Sequence, residues 1–374
     1  MKNHPGLLGL GAMFLRLGAT VFGGPAVHLA VFRDEFVRQR AWLDDAAFTR
    51  LLGWVQLIPG PNSSEVAMHL GWQRAGWRGM LMSGGAFILP AACLLAFLAS
   101  LYGRWGQHPA LQGALDGLRP VMLAVMAHAL WTWLPSAARD TPARLLALVI
   151  GVAALVGVSE TVLLFAGGLA MVLLRRPRGP GQALLLSGGG WVGSQDPGLL
   201  ALTWPFFKAG ALLYGSGYVL VGLLQEELVR RRGWLTDQQV LDAFAIGLAT
   251  PGPIFGTASF LGMLLAGPWG ALAATVAIFT PAFVLVGCSG WLLPRLERHP
   301  LTNFALEGVG LASLGLLGQT TFLMVQTAAK SPLGALWTVI ALALLISGRA
   351  SSGMLFWLGA EGGALGRVLV GGQP

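Results

Sequence analysis

The tripeptide Pro-Gly-Pro occurs twice in this 374-residue sequence, at Pro59-Gly60-Pro61 and Pro251-Gly252-Pro253, each time inside an otherwise apolar stretch. Two prolines remove two backbone donors and disfavour helix in the residue before each, so a continuous helix cannot pass. In hydrocarbon the freed backbone groups must find partners, which confines such a break to a protein-lined or wet cavity. The helix that restarts beyond it points unpaired amides into that cavity, and a helix N-terminus is a ready anion site. After the first break come Asn62, Ser63, Ser64 and Glu65, with His69 on the same helical face as Glu65. After the second, Thr257 and Ser259 supply the only two hydroxyls. Glu65 and His69 read equally as a proton relay or substrate pair and as a local capping pair. Arg16 and Lys208 each lie inside an apolar segment, where a cation costs about 2.5–3.5 kcal/mol and is usually paired or functional. They either neutralise a dianion between them or pair with Glu35 and Glu227. Arg119, beside Pro120, is a further candidate for binding.

The elements that position these groups must be lipid-embedded helices. Hydrophobic residues make up 55% and charged ones 11%, less than half the roughly 25% of a soluble domain. Disorder, collagen and nucleic-acid binding are thereby excluded. The net charge of +8 comes from short runs such as Arg230, Arg231 and Arg232 that flank apolar segments, as membrane anchors do. Cys93 and Cys288 both lie in apolar stretches, so no disulfide framework or cysteine metal site is available. A span needs roughly 20 apolar residues. Candidates fall near 7 to 24, 48 to 70, 78 to 101, 115 to 134, 144 to 174, 199 to 222, 241 to 266, 268 to 293, 304 to 327, 333 to 347 and 352 to 370, with a break at 157 to 161. The fold class is therefore an all-α polytopic membrane protein of about ten to twelve helices.

Slid against itself, the chain repeats. Residues 14 to 61 match 206 to 253, with Phe14/Phe206, Gly18/Gly210, Glu35/Glu227, Arg38/Arg230, Trp42/Trp234 and both tripeptides in register. One residue is then lost, and Gly71/Gly262, Pro90/Pro281 and Asp116/Glu307 align, whereas Arg119 faces Gly310. Two homologous halves follow, 1–180 and 198–374, joined by a linker over 181–197. Such a repeat marks a secondary transporter with its site where the halves meet. An odd number of spans per half inverts the repeat, which is the orientation expected here. The segments 26 to 50 and 218 to 242 read as interfacial amphipathic helices followed by new caps at Asp44 and Thr236. No His-Glu-x-x-His helix, Walker loop or Gly-x-Ser-x-Gly elbow is present, so neither a metal nor a cofactor nor ATP-driven pumping is expected.

The stretch Phe22-Gly-Gly-Pro-Ala26, the run Arg33-Asp-Glu-Phe-Val-Arg38, Trp42-Leu43, and Leu57-Ile-Pro-Gly-Pro-Asn-Ser-Ser-Glu65 to Gly71 resemble the first half of the chromate ion transporter family. Tyr214-Gly-Ser-Gly-Tyr218, Trp234-Leu-Thr236 and Ala249-Thr-Pro-Gly-Pro-Ile254 resemble its second domain. Departures are Leu248, where a polar Gln is common, and Gly256 and Met263 in place of a hydroxyl and an aromatic residue. The resemblance implies a two-domain member in the cytoplasmic membrane that expels chromate along the electrochemical gradient, conferring chromate resistance. It is no enzyme on this reading. Its partners are chromate, with sulfate as the alternative anion, membrane lipids, and a second copy in a homodimer. The resemblance places the path at the two Pro-Gly-Pro regions and nearby polar residues; together with the cations argued above, the expected site comprises Arg16, Pro59, Gly60, Pro61, Asn62, Ser63, Ser64, Glu65, His69, Arg119, Lys208, Pro251, Gly252, Pro253, Thr257 and Ser259. The rival from another class is a membrane-embedded enzyme acting on a lipid phosphate with Glu65 and His69 as acid and base.

Overall fold

The computed structural model describes residues 6–22, 25–56, 58–106, 108–175, 198–213, 217, 219–298, 300–328 and 331–371. The linker 181–197 and parts of the two glycine-rich motifs, Gly23, Gly24 and 214–216, lie outside the described residues. Among those residues the chain forms α-helices and no strand. In the first half these are α1 (Leu7–Thr20), α2 (Pro25–Arg33), α3 (Asp45–Gln56), α4 (Asn62–Trp105), α5 (Pro109–Ala137), α6 (Thr141–Leu155) and α7 (Glu160–Arg175). The second half runs α8 (Leu199–Leu212), α9 (Val219–Leu224), α10 (Asp237–Ala249), α11 (Thr257–Arg298), α12 (Pro300–Ala328), α13 (Pro332–Ile346) and α14 (Ser352–Gly371). The order of elements is the same in both.

Several expected spans are divided. The stretch 48 to 70 is split by the first tripeptide, 199 to 222 by the residues after Leu212, and 144 to 174 at the foreseen break. Helices near 62–105, 254–290 and 301–326 are long and apolar enough to cross a membrane unaided, while α1, α6, α8 and α13 are apolar but shorter. The interfacial segments are also not simple helices. Each widens into a π-helical turn, Asp34–Gln39 and Gln225–Arg230, which carries the acidic and basic residues of the matched pattern. The caps stand where expected: Asp44 accepts from the Ala47 amide at 2.6 Å, and Thr236 forms a capping box with Gln239.

The two longest helices are hairpins. Helical geometry fails in α4 at Ala75 and Gly76 (φ 59°) and in α11 at Ala266 and Gly267 (φ 62°), a left-handed turn that glycine adopts without steric cost. A short arm thus folds back along a long one. The Ser83 hydroxyl donates to the Ala67 carbonyl at 2.8 Å across the first hairpin, and Ser259 bonds Thr275 across the second. At 1.5 Å per residue the short arm 62–74 is about 20 Å long and the long arm 77–105 about 43 Å. The short arm therefore begins near the middle of its partner's length.

Small residues let these helices approach. A Cβ at Gly18 of α1 would collide with the Phe87 carbonyl of α4, and one at the matching Gly210 of α8 with the Ile278 carbonyl of α11. The halves are interlocked, because α5 packs along α13 and α14 while α12 packs along α6 and α7. The two long arms lie antiparallel: a Cβ on Gly84 would collide with the Phe283 ring, and one on Gly287 would stand 3.8 Å from the Met80 Cε. Likewise Arg175 at the end of α7 bonds Asp140, just past the end of α5, at 2.9 Å and Glu307, near the start of α12, at 2.6 Å. The α5 and α12 helices, like the two long arms, thus run in opposite directions.

The bundle has two ends. Arg74, beside the α4 turn, stacks on Trp42 at 4.3 Å, which puts the 40–44 loop at that end together with Arg139 and Arg175. Arg104, Thr236 and Arg367 line one cavity at the opposite end.

Candidate functional site

Both tripeptides lie between helices, the first after α3 and the second after α10, as the loss of proline donors demands. Each packs against the long arm of the other half. A Cβ on Gly60 would stand 3.4 Å from the Ala282 Cβ, and one on Gly252 would stand 2.6 Å from the Ala91 Cβ. Ala91 and Ala282 each directly follow the matched prolines Pro90 and Pro281 and lie about 21 Å along their long arms, near mid-height. The Gly252 amide also donates to the Val21 carbonyl at 3.1 Å, tying the second break to the end of α1.

The first restarted helix is bare. Pro61 provides no side-chain cap, and the first amide bonded in this turn is that of Glu65, which donates to the Pro61 carbonyl at 3.1 Å. The amides of Asn62, Ser63 and Ser64 precede that bond and stand outside the helical ladder. The side chains beside them are enclosed: Ser63, Ser64, Glu65 and His69 are buried, and Asn62 is half-buried. The Ser64 hydroxyl, both Glu65 carboxylate oxygens and the His69 Nε2 have no hydrogen-bond partner. The Glu65 carboxylate turns back towards Gly60, whose lack of a side chain leaves it room. Buried polar groups are nearly always satisfied, so four unmatched atoms on adjacent turns mark a place built to meet something else.

The second restart is more self-contained. A 3-10 turn, Ile254–Gly256, precedes α11, and the Thr257 hydroxyl donates to the Ile254 carbonyl at 2.8 Å. Ser259 is engaged with Thr275. Both hydroxyls are buried but bonded within their own hairpin.

The remaining candidates lie elsewhere. Arg16 bonds Glu35 at 2.9 Å, and Arg40 reaches the same carboxylate at 2.7 Å; Lys208 pairs with Glu227. The carboxylate pairing is therefore what the fold adopts for these two cations. Arg119 is also engaged, with Asp116 at 2.8 Å and with the fully buried Asp242 at 2.8 Å. Asp242 was not among the sequence candidates, because 123 residues separate it from Arg119 and only the α5–α10 packing brings them together. Among the described residues no cluster of His, Cys, Asp and Glu is arranged to hold a metal ion.

A family model described as chromate transporter matches residues 8–173 and again residues 200–366. The chain is 28% identical to a chromate transport protein of Cupriavidus metallidurans over 93% of its own length and 90% of the relative's. It is 30% identical to a chromate transport protein of Pseudomonas aeruginosa, over 85% and 81% of the two chains. A probable chromate transport protein of Synechococcus elongatus is 30% identical over 81% of each. No solved structure matches.

Proposed function

This chain belongs to the chromate transporter family, and on that premise we propose that it carries chromate outward across the cytoplasmic membrane by exposing a mid-height site alternately to either side. The observation that carries this reading is the pair of uncapped helix starts at mid-height, one of them lined by the unmatched groups of Ser64, Glu65 and His69. Amide dipoles there attract a doubly negative oxyanion without a fixed counter-charge that would hold it too tightly. Asn62 and Ser63 complete the polar lining on the first side, and Thr257 and Ser259 join when their own bonds open. Arg16 and Lys208 act through the Glu35 and Glu227 pairs, which fix the packing of α1 and α8 around the site.

Orientation follows from charge. Arg33, Arg40, Arg74, Arg78, Arg139, Arg144 and Arg175 gather at one end, against Arg104, the 230–232 run and Arg367 at the other, so the first end faces the cytoplasm. One charge crossing 100 mV is worth about 2.3 kcal/mol, so a departing dianion gains roughly twice that from a negative interior. Voltage alone can drive export.

The test is chromate uptake into everted vesicles with voltage and pH gradients imposed separately. A lumen-positive potential is expected to drive uptake, and a protein inserted in normal amount that gives no uptake under either gradient overturns the reading. Full suppression by sulfate at equal concentration would assign the carrier to sulfate instead. Turnover of a lipid phosphate in detergent, with no sealed compartment, would assign it to catalysis.

A further inference from the structure

The end of the molecule opposite the basic one holds a polar cavity of about 520 Å³, and neither tripeptide lines it. Five helices line it, α11 through the apolar Leu264 and the other four through polar or charged side chains. The end of α4 contributes Tyr102 and Arg104, α5 contributes Asp116 and Arg119, α10 contributes Asp242, and α14 contributes Arg367. Asp242 is fully buried and accepts from Arg119 at 2.8 and 3.0 Å and from the Tyr102 hydroxyl at 2.9 Å. Asp116 accepts from Arg119 at 2.8 Å and from Arg367 at 2.6 Å. Three guanidinium groups thus face two carboxylates, and Arg104 has no carboxylate partner among the described residues.

We propose that this cavity is a second oxyanion site, an outer vestibule in which a small doubly charged oxyanion takes the Arg119 guanidinium from Asp242. This rests on the transport reading above and adds to it a station outside the mid-height site. Arg119 suits the exchange because its planar fork binds a carboxylate and a tetrahedral oxyanion with the same bidentate geometry. Asp242 keeps the Tyr102 hydroxyl when Arg119 leaves, yet a buried carboxylate that has lost its cation is costly, so it recaptures Arg119 once the anion departs. The competition keeps binding weak enough for release. Arg119 also borders a neighbouring cavity of about 360 Å³ lined by Pro120, Leu123 and Leu241, so its movement changes the wall between two hollows. The device exists at one end only. The positions matching Arg119 and Asp242 in the other half are Gly310 and Arg50.

One-sidedness makes the test specific. Chromate flux is measured as a function of concentration in right-side-out vesicles, whose bath meets this cavity, and in everted ones, whose bath meets the basic end. Asp242→Asn removes the competitor and is expected to lower KM about fivefold in right-side-out vesicles only. Arg104→Gln, at an exposed position that no fold contact needs, is expected to raise KM about fivefold in the same orientation only. Equal shifts in both orientations, or unchanged KM in both variants at wild-type protein levels, overturn the vestibule while leaving the transport reading intact. Wild-type vesicles without saturable chromate flux in either orientation overturn the transport reading and the vestibule with it.

Discussion

Glu65 sits in the first turn of α4 with both carboxylate oxygens buried and unbonded. A buried polar group without a partner costs about 1–3 kcal/mol, and nothing in the packing of α4 requires a carboxylate there. On the transport reading proposed above, that cost is accepted because a substrate or a proton meets the group during the working cycle. Glu65→Leu is therefore expected to raise stability by about 1–3 kcal/mol, read as a higher Tm in detergent, while chromate flux falls to background. An unchanged or lower Tm would mean that the carboxylate stabilises the fold through contacts of its own. The sequence showed Glu65 and His69 sharing a helical face, and both are buried on the first turns of α4. It left two uses open for Arg16 and Lys208, because spacing alone does not say whether the chain between cation and carboxylate turns back on itself. The hairpin of α1 with the Asp34–Gln39 turn brings Arg16 to Glu35 at 2.9 Å.

At the scale of elements, the proline breaks were legible because they follow from backbone chemistry alone, and α3 and α4 stop and restart around the first one. The hairpin turns at Gly76 and Gly267 fell in the gaps between apolar segments, so their positions were visible but their sharpness was not. The exchange by which α5 lies along α14 and α12 along α7 was not visible at all, since hydrophobic pattern shows that a face is apolar and not which helix covers it. Glycine is the clue that remains. Gly18 and Gly210 each permit backbone contact between a half-length helix and a long arm. Gly18→Val and Gly210→Val are expected to push those helices apart, costing about 1–3 kcal/mol or more by overpacking and leaving little monodisperse protein after detergent extraction. Gly290→Ala, at a position with open space beside it, serves as the control and is expected to extract normally. Normal extraction of both valine variants would show that the contacts are looser than the structure draws them.

For the whole molecule, the decisive feature is that corresponding helices run in opposite senses, as Gly84 against Phe283 and Met80 against Gly287 demonstrate for the long arms. Loops that match in sequence then emerge on opposite faces of the bilayer: the turn at Gly76 lies at the basic end, and its counterpart at Gly267 lies near the cavity that holds Leu264 and Arg104. A bundle whose halves both entered from one side would place the two turns on the same face. Single cysteines distinguish the cases, after Cys93 and Cys288 are replaced by alanine so that neither contributes signal. With a membrane-impermeant thiol reagent on intact cells, Ala266→Cys is expected to label and Ala75→Cys to label only after the membrane is opened, both beside the glycine turns and at negative φ. Labelling of both from outside, or of neither, would contradict the antiparallel arrangement, and the reverse pattern would keep that arrangement but turn the basic end outward. In that last case the cavity around Arg119 would face the cytoplasm and receive the anion at entry, with the KM shifts moving to everted vesicles.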